Sequence, residues 1–254
     1  MKRKLIRSLL LTAVLCVSAG AQAQKLPPEA SKADPWETFN RGVFIFNGVL
    51  DHFVFKPVAE VYDRFVPSPV RTGVGNVLGN FGDMWSTVNL VLQAKPQRAI
   101  EMGMRVSINS VIGLGGLLDI ASEAGLERHQ KDMGLTLATW GVPNGPYLVL
   151  PFFGSSTLRD AVAFPADYAW TQAWRPHGQG DRYRLTALRL TETRAGLLPF
   201  TRMLDTVALD KYVFVRDAYL AHRRSQIYDG APPPEEENES AEALSAEALS
   251  TEQE

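Results

Sequence analysis

Apolar side chains recur at three- and four-residue spacing along most of the chain, a pattern typical of helices with one apolar side. The longest stripe of this kind lies early in the chain and is rich in aromatic residues: Trp36, Phe39, Val43, Phe46, Leu50 and Phe53. In front of it, Asp34 is the predicted cap, Pro35 the first helical residue and Glu37 the second half of a capping box. Core packing is the commoner role of such a stripe, but its phenylalanines also suit contact with acyl chains.

Lys56–Pro57 is expected to break this first helix. A short helical turn is predicted over residues 58–65, and a glycine-rich helical segment follows over residues 70–92. Glycine lowers helix propensity by roughly 1 kcal/mol per residue, yet it lets other backbone approach closely. The segment also carries amides at helix-compatible spacing, which places them along one side: Asn76, Asn80 and Asn89. The predicted segment is therefore a helix with one face of glycines that allows close packing and another face that carries amides.

More helices are predicted after Pro96, where an apolar stripe is expected to form: Ile100, Met104, Ile108 and Val111. Glu101 and Arg105 are expected to form an i,i+4 ion pair beside it. Three helical stretches close the body, at residues 182–195, 198–207 and 210–224. Since no succession of alternating strands with hairpin turns is evident, the fold class is predicted to be mainly α.

The segment 145–164, GPYLVLPFFGSSTLRDAVAF, is nearly unbroken apolar sequence from Tyr147 to Phe153. Exposing it to water would cost roughly 1.5–3 kcal/mol per large side chain, so burial in protein or lipid is expected. It is shorter than a spanning helix, and its prolines exclude a long uninterrupted one. Arg159 and Asp160 follow as neighbours whose side chains are expected to diverge. A structural role is the commoner one for them, and the alternative is that Arg159 binds a lipid phosphate.

The two ends of the chain differ from the body. Residues 1–23 have a basic start, an apolar core and the Ala21-Gln22-Ala23 pattern, which predicts an export signal cleaved after Ala23. The only cysteine, Cys16, is either an apolar residue of that signal or, with less support from its neighbours, a lipidation site. Residues 24–33 are predicted to be a flexible leader and 34–230 the folded domain. Residues 231–254 hold eight glutamates without Lys or Arg, which predicts a disordered acidic tail.

The body has 22 basic and 20 acidic side chains, too even a balance for a nucleic-acid-binding surface. The scattered histidines lack metal-ligand spacing: His52, His129, His177 and His222. A hydrolase site of Ser156, a histidine and Asp160 is conceivable, but no nucleophile elbow surrounds Ser156. Asp119 is read as a cap or turn residue. No catalytic residue, metal site or cofactor is predicted.

Several stretches together resemble the MlaA (VacJ) family of outer-membrane phospholipid-removal lipoproteins of Gram-negative bacteria. These stretches, which occur in family order and extend over most of residues 34–228, are DPWETFNRGVFIFN (34–47), KPVAEVYDRFVP (56–67), VNLVLQAKP (88–96), INSVIGLGGLLDIAS (108–122), GPYLVLPFFG (145–154), STLRDAV (156–162) and TRAGLL (193–198).

The resemblance implies a single ring-like helical domain, embedded in the inner leaflet of the outer membrane and joined by short apolar Gly/Pro-rich connections. It implies a central amphipathic channel that removes mislocalised phospholipids from the outer leaflet and maintains lipid asymmetry. The implied partners are phospholipid, a trimeric porin and a periplasmic lipid carrier. Two other functions stay open: a soluble periplasmic lipid carrier, and an envelope lipase or esterase.

Within that scheme, three groups of residues are singled out. The wet side of the lipid path is predicted to include Asn76, Asn80, Arg159 and Asp160. The Gly-rich turn is predicted to give a hinge or close helix packing through Gly113, Gly115 and Gly116, because a phosphate-binding loop would need another glycine and a preceding strand. The membrane-facing aromatic stripe is predicted to be Trp36, Phe39, Phe46 and Phe53.

Overall fold

Helices make up most of the computed structural model, which describes residues 33–173 and 178–233. The prediction of a mainly α fold is confirmed. The elements follow one another as α1 (Glu37–Leu50), a π-helical turn (Asp51–Phe55), α2 (Lys56–Phe65), α3 (Ser68–Leu92), α4 (Pro96–Val111), α5 (Ile120–Glu123), α6 (Met133–Thr139), β1 (Tyr147–Leu150), β2 (Gly154–Thr157), α7 (Leu158–Ala173), α8 (Gln179–Gly196), α9 (Leu198–Val207) and α10 (Lys211–Ile227).

The first helix does not end at Pro57 as predicted. The chain passes from α1 through the π-helical turn into α2 as one helix of 29 residues, Glu37–Phe65. Pro57 lies just after the π turn, where the Lys56 amide donates to the Asp51 carbonyl oxygen, so the missing proline donor falls where the bonding pattern changes. By length and composition this is the one described helix that could cross a membrane, and only 11% of its most apolar window is buried.

The predicted capping box at the start of α1 is wrong. The N-cap residue is Trp36, and no side chain caps the helix. Asp34 is instead buried, where its carboxylate accepts hydrogen bonds from Asn40 Nδ2 at 2.8 Å and from the Tyr212 hydroxyl. Asp34 therefore ties the start of the body to α10, a long-range contact that no local pattern indicates.

Helices α3 and α4 pack along each other as a hairpin. The side of α4 that faces the interior is not its apolar stripe. Its buried residues are Ala99, Met102, Arg105 and Asn109. Its apolar stripe points outward, with Met104 45% and Val111 80% exposed. The predicted Glu101–Arg105 pair is also wrong: Glu101 accepts from the Glu127 amide at 2.9 Å, while Arg105 faces the interior.

The structure contains a two-stranded antiparallel hairpin that the sequence did not predict. Strands β1 and β2 pair with Tyr147 opposite Thr157 and Leu150 opposite Gly154. The apolar run fits this hairpin because alternate residues, Tyr147 and Val149, are fully buried while Phe152 at the turn is exposed. The run is thus buried in protein on one side only.

Two asparagines of α1 dock the edge of β1. Asn40 Nδ2 donates to the Tyr147 carbonyl oxygen at 3.0 Å, and Asn40 Oδ1 accepts from the Val149 amide at 2.8 Å. Two turns along the helix, Asn47 repeats the pattern with the Leu150 carbonyl and the Phe152 amide at 3.0 and 2.9 Å. Seven-residue spacing puts both amides on one helix face, so α1 satisfies an otherwise open strand edge.

Polarity is inverted relative to an ordinary water-soluble domain. Among the described residues, 17 buried side chains are polar or charged and 14 are hydrophobic. Large apolar side chains are exposed on many elements, including α1, α4 and the turn after α4. Buried charges are tolerated only when they are paired and hydrogen-bonded, so the interior is held by polar networks. The apolar exterior is what a lipid environment stabilises.

Candidate functional site

Two neighbouring cavities open along one face of α3. The first, here the aromatic cavity, has a volume of about 320 Å³ and is lined by Phe81, Gly82, Trp85, Asp132, Asp167, Trp170, Thr171 and Arg189. The second, here the glycine cavity, has a volume of about 300 Å³ and is lined by Gly75, Leu78, Gly79, Arg189, Glu192, Thr193 and Gly196. Arg189 of α8 lines both, so the cavities adjoin and together combine apolar, aromatic and charged walls.

Glycines of α3 make room for this opening. A Cβ on Gly75 would lie 2.9 Å from Glu192 Oε1, too close for an ordinary contact, so α8 approaches α3 here because a side chain is missing. At Gly82 a Cβ would meet no atom within 4 Å, since that glycine faces the open space of the aromatic cavity. A Cβ on Gly79 would lie 2.2 Å from an Arg128 nitrogen, so Gly75 and Gly79 allow close approach of other side chains and only Gly82 faces open space.

Two stacked indoles and an aspartate build a wall of the aromatic cavity. The rings of Trp85 and Trp170 lie 4.9 Å apart between centroids with an angle of 23° between their planes. Trp85 Nε1 donates to Asp167 Oδ1 at 2.7 Å, and the Met133 amide donates to the same oxygen at 2.9 Å. Burial and the negative charge of Asp132 raise the pKa of Asp167. The hydrogen bonds from the Met133 amide and Trp85 and the positive charge of Arg223 lower it, but they do not fully offset that effect.

Arg159 and Asp160 do not diverge as predicted. Arg159 Nε donates to Asp160 Oδ1 at 3.0 Å, and both side chains are almost completely buried. Asp160 Oδ2 also accepts from Tyr219 and from Arg223 Nε, each at 2.9 Å. Burial alone would raise the pKa of Asp160, but Arg223 and Arg159 outweigh it and hold the pKa below its usual value. These residues line neither cavity.

This buried ion cluster fits closely against α6. A Cβ on Gly134 would lie 2.4 Å from Asp160 Oδ1 and 2.8 Å from an Arg223 nitrogen. Arg223 also forms an ion pair with Asp132, the N-cap of α6. The cluster therefore joins α6, α7 and α10, which is a structural task. A lipid-path role for Arg159 or Asp160 stays a prediction.

Asn76 and Asn80 lie where α3 faces α4 and the turn that follows α4. Asn76 Nδ2 donates to the Leu117 carbonyl oxygen at 3.0 Å, and Asn80 Nδ2 donates to Ser110 Oγ at 2.9 Å. Neither lines the two cavities. Their contribution to a lipid path stays a prediction as well.

The three predicted glycines form the turn against which Asn80 packs. A Cβ on Gly113 would meet the Leu118 carbonyl oxygen at 2.2 Å, and one on Gly116 would meet Asn80 Cβ at 3.0 Å. Gly115 and Gly116 have φ of 75° and 90°, values that L side chains rarely adopt. Asp119 then caps α5 by accepting from the Ser122 amide, so its predicted role as a cap is confirmed.

The four aromatic residues of the stripe are exposed, whereas Val43 within it is buried and packs with Tyr147 and Tyr212. The four aromatic side chains are 42%, 49%, 39% and 72% exposed, in the order Trp36, Phe39, Phe46 and Phe53. Contact with a membrane at this face stays a prediction. The described residues do not include Cys16, the cleavage point after Ala23, residues 24–32 of the leader or most of the acidic tail.

The residues of the conceivable hydrolase are engaged elsewhere. Ser156 Oγ donates to the Thr157 carbonyl oxygen at 3.2 Å, and Asp160 serves the ion cluster. Within residues 33–173 and 178–233, no group of three or more His, Cys, Asp or Glu side chains is placed to hold a metal ion. The arrangement is suited to binding an amphipathic molecule between charged and aromatic walls.

The sequence does not indicate the residues that line the cavities, above all Trp85, Asp167, Trp170, Arg189 and Glu192. They come from three helices, and nothing in their local sequence joins them. One signal was present: the glycines at 75, 79 and 82 share a helix face that has to oppose something. The sequence indicates that this glycine face packs closely against another element, but it does not indicate the cavities beside it.

A polar interior, an apolar exterior and cavities with charged and apolar walls are features typical of a helical protein that contacts lipid. A family model, MlaA lipoprotein, matches residues 32–226. The chain belongs to the MlaA lipoprotein family.

Relatives and one solved structure support the same assignment. The intermembrane phospholipid transport system lipoprotein MlaA of Escherichia coli K12 is 36% identical over 238 residues, 90% of this chain and 89% of that protein. The MlaA of Haemophilus influenzae is 30% identical over 91% of this chain and 93% of its own length. A structure solved to study the maintenance of bacterial outer membrane lipid asymmetry matches with a TM-score of 0.66 at 35% identity. The match covers 76% of this chain and 98% of the chain in that structure.

Proposed function

We propose that this protein is the outer-membrane component of a phospholipid transport system that removes mislocalised phospholipids from the outer leaflet. Phospholipids move through an amphipathic opening and pass to a periplasmic carrier, which maintains the asymmetry of the membrane. The MlaA relatives carry intermembrane phospholipid transport in their names. No bond is made or broken, so the protein is not an enzyme.

The observation that carries the proposal is the combination of an apolar exterior with charged cavities along α3. A phospholipid head group cannot cross hydrocarbon unaided, because its lost hydration is not replaced. Arg189 and Glu192 offer charged contacts to a head group in the opening, while Phe81 and the indoles offer apolar surface. The opening thus lowers the barrier by solvation alone.

Location and partners complete the proposal. The protein is exported and lies in the inner leaflet of the outer membrane, with the exposed stripe of α1 among acyl chains. A trimeric porin and a soluble periplasmic lipid carrier are its partners by family resemblance. The folded domain covers residues 34–230 between a leader and an acidic tail, and it is ring-like.

Filling the cavity tests the proposal. Gly82→Leu places a side chain in the aromatic cavity at a helical position where nothing lies within 4 Å, so folding is preserved. The matched control is Gly180→Leu, also a helical glycine with open space around it but outside both cavities. Both variants are expressed in a Gram-negative strain that lacks its own family member. Survival in SDS with EDTA and labelling of surface phosphatidylethanolamine by an impermeant amine reagent are measured.

Wild type and Gly180→Leu are expected to restore survival and low labelling, whereas Gly82→Leu is expected to fail at equal protein level. Full restoration by Gly82→Leu would remove the cavity from the lipid path. Fractionation separates the rival functions: a soluble carrier would leave the membrane in high salt with bound phospholipid. A lipase would release fatty acid and lose that activity in Ser156→Ala.

A further inference from the structure

The aromatic cavity combines the chemistry needed to distinguish one phospholipid head group from another. It places an aspartate, an arginine and two stacked indoles around one space of about 320 Å³. This volume lies at the lower end of the range for small-ligand sites, roughly 300–1,000 Å³. A binding site of this size fits a head group rather than a whole lipid.

Asp167 supplies negative charge that neutral donors hold in place. Its Oδ1 accepts from the Trp85 indole and from the Met133 amide, neither of which carries a charge. Asp132, the other carboxylate of the cavity, is by contrast neutralised by a two-pronged ion pair with Arg223. Asp167 is therefore the carboxylate of this cavity that gains most from an incoming cation.

The indoles favour the same kind of ligand. A cation over the face of tryptophan is attracted by the negative potential of the ring, and tryptophan is the strongest of the aromatic side chains in this respect. The hydrogen bond to Asp167 fixes the plane of Trp85, and Trp170 stacks on it at 4.9 Å. Stacking covers one face of each indole, so an alkylammonium group beside the carboxylate would lie against an outer face of the pair.

Arg189 supplies the opposite charge. It lines the aromatic cavity and the glycine cavity alike, so its side chain borders both the space that Asp167 lines and the space that Glu192 lines. Guanidinium binds phosphate through paired, charge-assisted hydrogen bonds.

We propose that the aromatic cavity is a head-group site selective for zwitterionic phospholipids that carry an amine. The amine lies against Asp167 and the two indoles, and the phosphate lies toward Arg189. An anionic head group with an uncharged glycerol satisfies Arg189 but leaves Asp167 without a cation. The inference rests on the proposed lipid transport and adds the class of lipid that the site prefers.

The test uses the full-length protein purified in detergent and exchanged against equimolar dioleoyl-phosphatidylethanolamine and dioleoyl-phosphatidylglycerol. Mass spectrometry of the retained lipid gives the ratio of the two. The key variant is Asp167→Asn, which removes the charge but keeps an oxygen that accepts from Trp85 and Met133. The control is Asp205→Asn, which removes the same charge from an exposed site paired with Lys211.

Wild type and Asp205→Asn are expected to enrich phosphatidylethanolamine about fivefold over the mixture, a change equivalent to a single partly buried charge contact. Asp167→Asn is expected to return the ratio to that of the mixture with the same total lipid per protein. An unselective wild type, or a ratio unaltered by Asp167→Asn, overturns the head-group site. If either of those results is accompanied by retained lipid and restored SDS–EDTA survival, the transport proposal stands without the head-group site. Loss of lipid from the wild-type protein contradicts the transport proposal itself.

Discussion

Arg105 and Asp119 meet through hydrogen bonds of 3.1 and 3.2 Å, with the Arg105 side chain 1% exposed while Met104 beside it faces outward. Arg105 also donates to Ser122 Oγ at 3.0 Å and to the Leu126 carbonyl, and Asn109 Nδ2 donates to Asp119 at 2.9 Å. One buried guanidinium thus organises the turn after α4. The pair shows how this fold replaces part of an apolar core with a polar one.

Removing this guanidinium is expected to be costly. Arg105→Met has a similar side-chain volume but removes the positively charged partner of Asp119 and the donor to the Leu126 carbonyl, so the free energy of unfolding should fall by about 3 kcal/mol. Denaturant unfolding in detergent micelles measures the change. The control is Arg184→Met, whose side chain is 84% exposed and should change stability by less than about 0.5 kcal/mol. Equal losses in both variants would contradict a structural network at Arg105.

Acid should weaken the same network. Burial would raise the pKa of Asp119, but hydrogen bonds from Ser122 and Asn109 and the charge of Arg105 outweigh it and lower the pKa to about 2. A folded-state pKa below the unfolded value means that Asp119 stabilises the fold above pH ~4, and this stability is lost as the pH falls toward 2.

Unfolding measured from pH 5 to pH 2 checks this. Asp119→Asn is expected to be less stable at pH 5 and to lose less stability on acidification than wild type. Burial would raise the pKa of Asp229, but its partners Lys131 and Lys95 outweigh burial and lower the pKa to about 2. Asp229 will therefore leave some acid dependence of stability in the variant. Parallel curves for wild type and Asp119→Asn would refute the assignment.

Local patterns predicted the helices well, because helical periodicity is set within one element. The three closing helices and the helix after Pro96 lie where their apolar spacing and prolines place them. The orientation of α4 was not predictable in the same way. Which face of Ile100–Val111 is buried depends on whether the surroundings are water or lipid, and the amphipathic pattern is the same in both.

The candidate site was harder to predict because its parts are distant in sequence. Trp85 and Asp167 are 82 residues apart, and only packing of α3 against α7 brings them within hydrogen-bond distance. Arg159 and Asp160 are recognisable in the sequence as adjacent charges beside an apolar run. The long-range partners of Asp160, Tyr219 and Arg223, could not be inferred from that run.

Gly134 should tolerate no side chain. In Gly134→Ala the new methyl group would lie 2.4 Å from Asp160 Oδ1, and relieving that contact disturbs the buried ion cluster. We expect a loss of about 1–3 kcal/mol in unfolding free energy. Gly82→Ala, which fills open space in a helix, should instead gain up to about 1 kcal/mol. Thermal unfolding of the two variants in one detergent compares them, and a stabilised Gly134→Ala would disprove the close packing.

Asn80 offers a test of the predicted wet side. In Asn80→Ala the hydrogen bond to Ser110 Oγ is lost at a buried position, with an expected cost of about 1 kcal/mol. If the amide also solvates a passing head group, cells carrying the variant will become sensitive to SDS and EDTA at unchanged protein level. Ser110→Ala is the matched control, because it removes the same hydrogen bond and keeps the amide. Equal sensitivity of the two variants would assign Asn80 a structural role only.

The exposed stripe of α1 should hold the protein in the membrane. Phe53 is 72% exposed and lies at the π-helical turn of the 29-residue helix. Phe53→Lys places a charge where acyl chains are proposed, at a cost of roughly 2.5–3.5 kcal/mol at the depth of the hydrocarbon centre and less near the interface. The fraction of protein that stays with outer-membrane pellets after a high-salt wash should fall, while Phe53→Leu, which remains apolar, should match wild type. An unchanged pellet fraction for Phe53→Lys would contradict a role of Phe53 in holding the protein in the membrane.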